Sequence, residues 1–203
     1  IRDSCNSMRK QLLTACTLVA LAVPVQAGQM TSTYTKLDFR KTCKILEQSD
    51  EGGSVSMLCE GYQDYPVHFA EGDLRHSVQF GHVDASETGI WQSFTQWNRV
   101  SDTIEWRLHD AVPVAAILRW FIENTDDAGA ADPNRVGQVL VVSRVAQEAG
   151  RQACVVAYVD ALANRNANQL ARDLADSLAA TFTCGTDRAE FHGQRGRLSG
   201  DPS

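Results

Sequence analysis

The densest run of reactive side chains in the sequence is Glu71-Gly72-Asp73-Leu74-Arg75-His76, with Tyr62, Tyr65 and His68 just upstream. Arginine grips a carboxylate or phosphate through a two-pronged fork, and neighbouring acids and phenols can complete such a site. Tyr62, Tyr65, Glu71, Asp73, Arg75 and His76 are therefore candidate ligand-binding residues. A rival reading is a small hydrolase in which Glu71 or Asp73 works with His76 as an acid–base pair. The plainer reading is preferred: Glu71-Gly72-Asp73 turns the chain between two strands, and Arg75 pairs with a nearby carboxylate.

Trp91, Phe94 and Trp97 recur at spacings of three, and Trp91 and Trp97 join the candidate binding residues as a platform for a sugar ring or a partner protein. The same spacing would line one side of a short helix, and core packing is favoured over binding. His68, His76, His82 and Asp84 carry metal-ligand chemistry. However, His76 and His82 would lie about 20 Å apart along an unbent strand, so no metal is expected. The sequence has no Gly-x-Ser-x-Gly elbow and no phosphate-cradling glycine loop. No catalytic residue is assigned and no cofactor is expected.

These side chains need elements to hold them. Thr33 to Phe39 and Ser54 to Glu60 read as strands joined through the turn Asp50-Glu51-Gly52-Gly53. Tyr65 to Ala70 reads as a third strand. Leu74, His76, Val78, Phe80 and His82 then alternate with polar residues, as in a half-buried antiparallel strand. Asp84 to Trp97 is ambiguous, because Asp84 with Glu87 resembles a capping box while Gly89 disfavours a helix. Thr103 to Leu108 alternates again, Val114 to Glu123 and Val136 to Val145 are longer apolar runs, and Gln152 to Val159 is a strong strand. Asn124 to Arg135 reads as an exposed connection. Leu170, Leu174, Leu178 and Phe182 mark a helix over Asn166 to Phe182. Asn164, Asn166 or Asn168 would cap it, and Arg172 would pair with Asp176 one turn on.

Met8, Arg9 and Lys10 open a basic segment, Leu12 to Val25 is apolar, and Val25-Gln26-Ala27 supplies the small residues of a cleavage site. Residues 8–27 thus read as a secretory signal peptide, whose apolar run is too short to stay in a bilayer as a helix, which needs about 20 residues. Leu13-Thr14-Ala15-Cys16 superficially resembles a lipoprotein box, but too few apolar residues precede Cys16. Residues 1–7, with Cys5, read as an upstream extension, 28–184 as one globular domain, and 185–203 as a disordered tail. The mature protein would be periplasmic or secreted, with no transmembrane segment.

After cleavage 16 basic and 24 acidic side chains remain, a net charge of −8. That field disfavours nucleic acid and anionic lipid. Cys43, Cys59, Cys154 and Cys184 remain as well, an even set that implies two disulfides in an oxidising compartment. Of the three possible connectivities, 43–59 with 154–184 is preferred: a hairpin of Thr33–Phe39 with Ser54–Glu60 would bring Cys43 to Cys59. A strand from Cys154 to Ala161 runs about 23 Å, and the helix returns about 24 Å, which brings Cys184 beside Cys154.

Tyr34-Thr35-x-Leu37-Asp38, Cys43, Cys59-x-Gly61-Tyr62, Val67 and Glu71-Gly72-Asp73-Leu74-Arg75 leading to Gly81 together form a pattern that resembles a group of secreted alphaproteobacterial proteins. That resemblance implies export and disulfides and carries no activity, because the group has no established function.

The fold expected is α+β, an antiparallel sheet of about six to eight strands with one C-terminal helix packed on it and two disulfides. The function expected is a non-enzymatic envelope binding module, inhibitor-like in one form, whose partner is an envelope protein or a cell-wall component.

Overall fold

The computed structural model describes residues 28–50, 53–84, 91–126, 128–147 and 152–203. The expected signal peptide at 8–27 and the extension at 1–7 lie outside the described residues, as do Glu87 and Gly89.

Among the described residues the chain forms ten strands and one helix: β1 (Met30–Lys36), β2 (Cys43–Gln48), β3 (Ser54–Tyr62), β4 (Tyr65–Gly72), β5 (Arg75–Phe80), β6 (Asn98–His109), β7 (Val112–Thr125), β8 (Ala131–Arg144), β9 (Cys154–Asp160), α1 (Ala167–Leu178) and β10 (Glu190–Phe191). The strands are divided between two sheets. One has the order β1-β6-β7-β8-β9-β10, and the other is the meander β2-β3-β4-β5. Every pairing is antiparallel except β10 on β9. The α+β class, the single helix and both disulfides are as the sequence implies. The division into two sheets is not, because local hairpin signals do not say which hairpins share a ladder.

The layers explain the apolar runs. β7, β8 and β9 are covered on both faces, so they read as near-continuous hydrophobic stretches. Ala116, Leu118, Trp120, Val139, Val141 and Val155 face the four-stranded sheet side, where Phe80 meets Trp106 edge-on with ring centroids 5.6 Å apart. Trp106 is fully buried and donates its indole N–H to Thr35 Oγ1 at 2.8 Å. On the opposite face Ala115, Ile117, Leu140, Val142, Val156 and Val159 receive α1. Ala167, Ala171, Leu174 and Ala175 are the buried residues of that helix. The alanines let α1 lie close on the sheet, while Leu170, Leu178 and Phe182 pack at the margin.

Several local expectations are corrected. The N-cap residue Asn166 makes no side-chain capping bond. Asn164 instead donates to Asp160 O at 2.8 Å and Gln194 O at 2.7 Å. Arg172 does not pair with Asp176 but donates to Glu105 at 2.6 Å. Asp176 accepts from Arg107 Nε at 2.7 Å and Nη2 at 2.6 Å, and Arg107 also donates to Ser32 at 2.6 Å. A two-pronged contact with a largely buried guanidinium displaces the exposed one-turn pair, which is intrinsically weak.

Both disulfides join the residues expected. Cys43 and Cys59 are direct cross-strand partners in the β2–β3 ladder. Cys154 and Cys184 are bridged across a Cα separation of 5.8 Å, with α1 making the return.

The segment expected as an exposed connection, Asn124 to Arg135, is mostly the extended β7–β8 hairpin, paired out to Thr125 and Ala131. Residues 91–97 are not helical. Phe94 plugs the core against Trp120 at 5.5 Å and Tyr158 at 5.7 Å.

Residues 185–203, expected to be disordered, are packed. β10 pairs with β9, Phe191 stacks on Tyr158 at 5.3 Å, and Arg195 lies 4.4 Å over the Phe191 ring. The segment then crosses β8 at Gly137, where any side chain would strike Leu198 O, 1.8 Å from an added Cβ. It ends with Pro202 bridged to Phe94 and Ser203 N–H donating to Ser93 O at 3.1 Å. Glycine and charge suggested disorder here, yet they serve close backbone approach and specific hydrogen bonds. Together with residues 91–97 this segment covers the part of the large sheet that the small sheet leaves open.

Candidate binding cleft

The β4–β5 turn sets the position of Arg75. Asp73 and Leu74 both have left-handed backbones, with φ of 50° and 58°, the geometry that a two-residue hairpin turn requires. Arg75 is paired with the Asp73 carboxylate, as the plainer sequence reading has it, and Nη1 also donates to Asp73 O at 3.2 Å. Its Nε donates to Thr95 O at 2.9 Å. The buried amide of Asn98 braces the turn from behind: Asn98 N–H donates to Leu74 O at 3.0 Å, and Asn98 Oδ1 accepts from His76 N–H at 3.1 Å.

Arg75 forms part of the wall of a cleft of about 910 Å³. Thr95, Gln96 and Trp97 continue that wall, Glu123, Asn124, Thr125 and Arg135 of the β7–β8 hairpin line it further round, and Asp160, Leu162, Arg197 and Leu198 complete it. Trp97 is 41% exposed and Leu162 55% exposed, so the cleft carries apolar shelves beside its guanidinium groups.

The walls are fastened to one another. Glu123 N–H donates to Trp97 O at 2.8 Å. Asn124 Nδ2 donates to Leu198 O at 3.0 Å, and Asp201 N–H donates to Gln96 Oε1 at 2.9 Å. Asp160, 2% exposed, accepts backbone N–H groups from Leu162 at 2.8 Å, Ala163 at 2.9 Å and Gly196 at 2.8 Å. A buried carboxylate needs such partners, and here they organise the cleft wall.

The other sequence candidates disperse. Tyr62 and Tyr65 sit at the opposite end of β4 from Arg75, where they close the β3–β4 turn. The Tyr65 hydroxyl donates to Gln147 at 3.0 Å, and its ring lies 4.9 Å from that of His82. Trp91 lines a separate hollow of about 330 Å³ with Leu46, Met57 and His68. Trp91 and Trp97 thus do not form one platform.

Glu71 is the cross-strand partner of His76, while Asp73 is committed to Arg75. His76 stands edge-on to Phe69 at 4.8 Å, and its Nδ1 accepts from Val100 N–H at 3.2 Å. Burial, reinforced by the charge of Arg99, lowers its pKa to about 4, so the ring is neutral at pH 7. His68 is also held below the ordinary histidine range, chiefly by burial. No cluster of three or more metal-ligating residues occurs among the described residues.

Glu123, Arg135, Leu162, Arg197 and Leu198 escaped sequence reasoning, because only long-range packing brings them to Arg75 and Trp97. Among the described residues no helix is long and apolar enough to cross a membrane. In comparisons with family models, curated proteins and solved structures, nothing matches the chain.

Proposed function

We propose that this chain is an exported, disulfide-stapled binding module of the cell envelope, and that its recognition site is the cleft bounded by Arg75 and Trp97. One observation carries the reading. A guanidinium anchored on two sides by Asp73 and Thr95 stands in a cleft of about 910 Å³ beside an exposed indole. Binding sites combine such apolar surface with a few fixed polar groups. Preorganised side chains also lose less freedom when a partner arrives. The Cys43–Cys59 and Cys154–Cys184 bridges agree with maturation in an oxidising compartment.

The test is capture from envelope extract on immobilised protein, run in parallel with Arg75→Met and Trp97→Ala. Material retained by the parent and released by both variants is the expected outcome. If nothing is retained while the purified protein turns over a substrate, the reading is overturned in favour of an enzyme. N-terminal sequencing of protein from the producing cell should begin at or near Gly28. An intact residue 8–27 segment would defeat the export half of the proposal.

A further inference from the structure

The charges around the cleft cancel. Arg75 is paired with Asp73, Arg135 has a partner of its own, and the buried Asp160 keeps its negative charge while three neutral N–H groups solvate it. Glu123 and Arg197 add one charge of each sign, and neither makes an ion pair or a side-chain hydrogen bond among the described residues. Such a site gives no field that would favour an anion or a cation.

The main chain of the wall is spent. Carbonyl oxygens of Thr95, Gln96, Trp97 and Leu198 accept from Arg75, Asn98, Glu123 and Asn124, and Thr95 N–H donates to Asp201 O. A peptide strand laid along this wall finds no open ladder to extend. Side chains are what the wall still offers. The Trp97 indole N–H, Arg75 Nη2 and Arg197 are donors, Glu123 is an acceptor, and the Thr125 hydroxyl is both; none of these groups is hydrogen-bonded among the described residues.

An occupant must therefore donate and accept at several points and carry no net charge. Hydroxyl groups do both. It must also cover an indole that is 41% exposed. A sugar ring meets that demand, because its C–H face is apolar while its rim is polar, and a flat aromatic with a wet edge matches both.

We propose that the cleft binds a neutral saccharide, with one ring lying on Trp97 and hydroxyls shared between Glu123 and Arg197. This rests on the binding-module reading above and names its ligand class. Leu162 supplies apolar surface for a further ring.

Calorimetric titration of the disulfide-bonded chain tests it. The neutral probes are the β-1,4 and α-1,4 tetrasaccharides of glucose and the β-1,4 tetrasaccharide of N-acetylglucosamine; an oligogalacturonate and a chitosan oligomer are the charged controls. At least one neutral probe should bind, with an affinity constant to about twofold between low salt and about 0.5 M salt. Trp97→Ala and Glu123→Gln should each weaken it about tenfold or more. Arg197→Ala, at an exposed position, should weaken it too. The variants are first checked for native disulfides and circular dichroism. Unchanged affinity in both Trp97→Ala and Arg197→Ala overturns the proposal. So does a charged oligomer that binds more tightly than every neutral probe and is released by salt. If no neutral probe binds while envelope extract still yields a partner that needs Trp97, the saccharide falls and the binding module stands. If no probe binds and the extract yields nothing, both fall.

Discussion

Asp160 and Gly196 are joined by a 2.8 Å hydrogen bond from the glycine N–H to the buried carboxylate, and this contact fastens residues 185–203 to the end of β9. Asp160→Ala leaves this N–H and those of Leu162 and Ala163 without their acceptor. The cost expected is about 2–3 kcal/mol, since stranded buried polar groups lose their full solvation. Urea unfolding measures it, and hydrogen exchange should show faster opening at residues 194–200 than in α1.

Gly137 offers a second route to the same segment. An added methyl would overlap Leu198 O, so Gly137→Ala forces the crossing chain off β8. Limited proteolysis should then cut within residues 185–203 while the disulfide-linked body survives. Unchanged protection would show that the crossing is not tight.

Arg107 organises the margin where α1 meets β1 and β6. Arg107→Met removes both prongs on Asp176 and the bond to Ser32, and should lower stability by about 2 kcal/mol. Because the guanidinium is largely buried while solvent reaches Asp176, Asp176→Leu alone, which strands the Arg107 charge, should cost more. Combining Arg107→Met with Asp176→Leu should therefore recover part of the loss, and a strictly additive double variant would contradict this.

His76 makes stability fall in mild acid. Its folded pKa, about 4, lies below the unfolded value of 6.5. The unfolded chain therefore binds more protons between those values, and stability rises with pH across that window. Above about pH 6.5 the contribution is flat. His68, also held low by burial, acts in the same sense. Thermal melts from pH 7 to pH 4 should show a falling midpoint, and His76→Gln should flatten that slope.

The disulfides differ in reach. The Cys43–Cys59 bridge spans a sequence separation of 16, and the Cys154–Cys184 bridge spans 30. Replacing either pair with alanine should cost about 3–4 kcal/mol, slightly more for the longer loop. Denaturant midpoints of the two double variants rank them.

What could be read from the linear chain was whatever repeats locally. The apolar runs at Val114 and Val136, the leucine stripe of α1 and the lengths of β9 and α1 sufficed to place Cys184 beside Cys154. The partition into two sheets was hidden, because β5 and β6 are joined by a segment with no clear period. The cleft was half visible: Arg75 and Trp97 stood out by type, but partners more than 20 residues away are set by sheet order. Residues 185–203 misled because their order comes from single contacts, such as Gly137 with Leu198, that leave no periodic trace.

Arg197 and Leu198 reach the cleft only when residues 185–203 are seated across β8. Any occupant's apparent affinity is therefore multiplied by the seated fraction, its Kd being divided by it, and binding must in turn draw the segment down. A substitution far from the ligand, at Gly137 or Asp160, can thus act as a dial on recognition without altering a single contacting group.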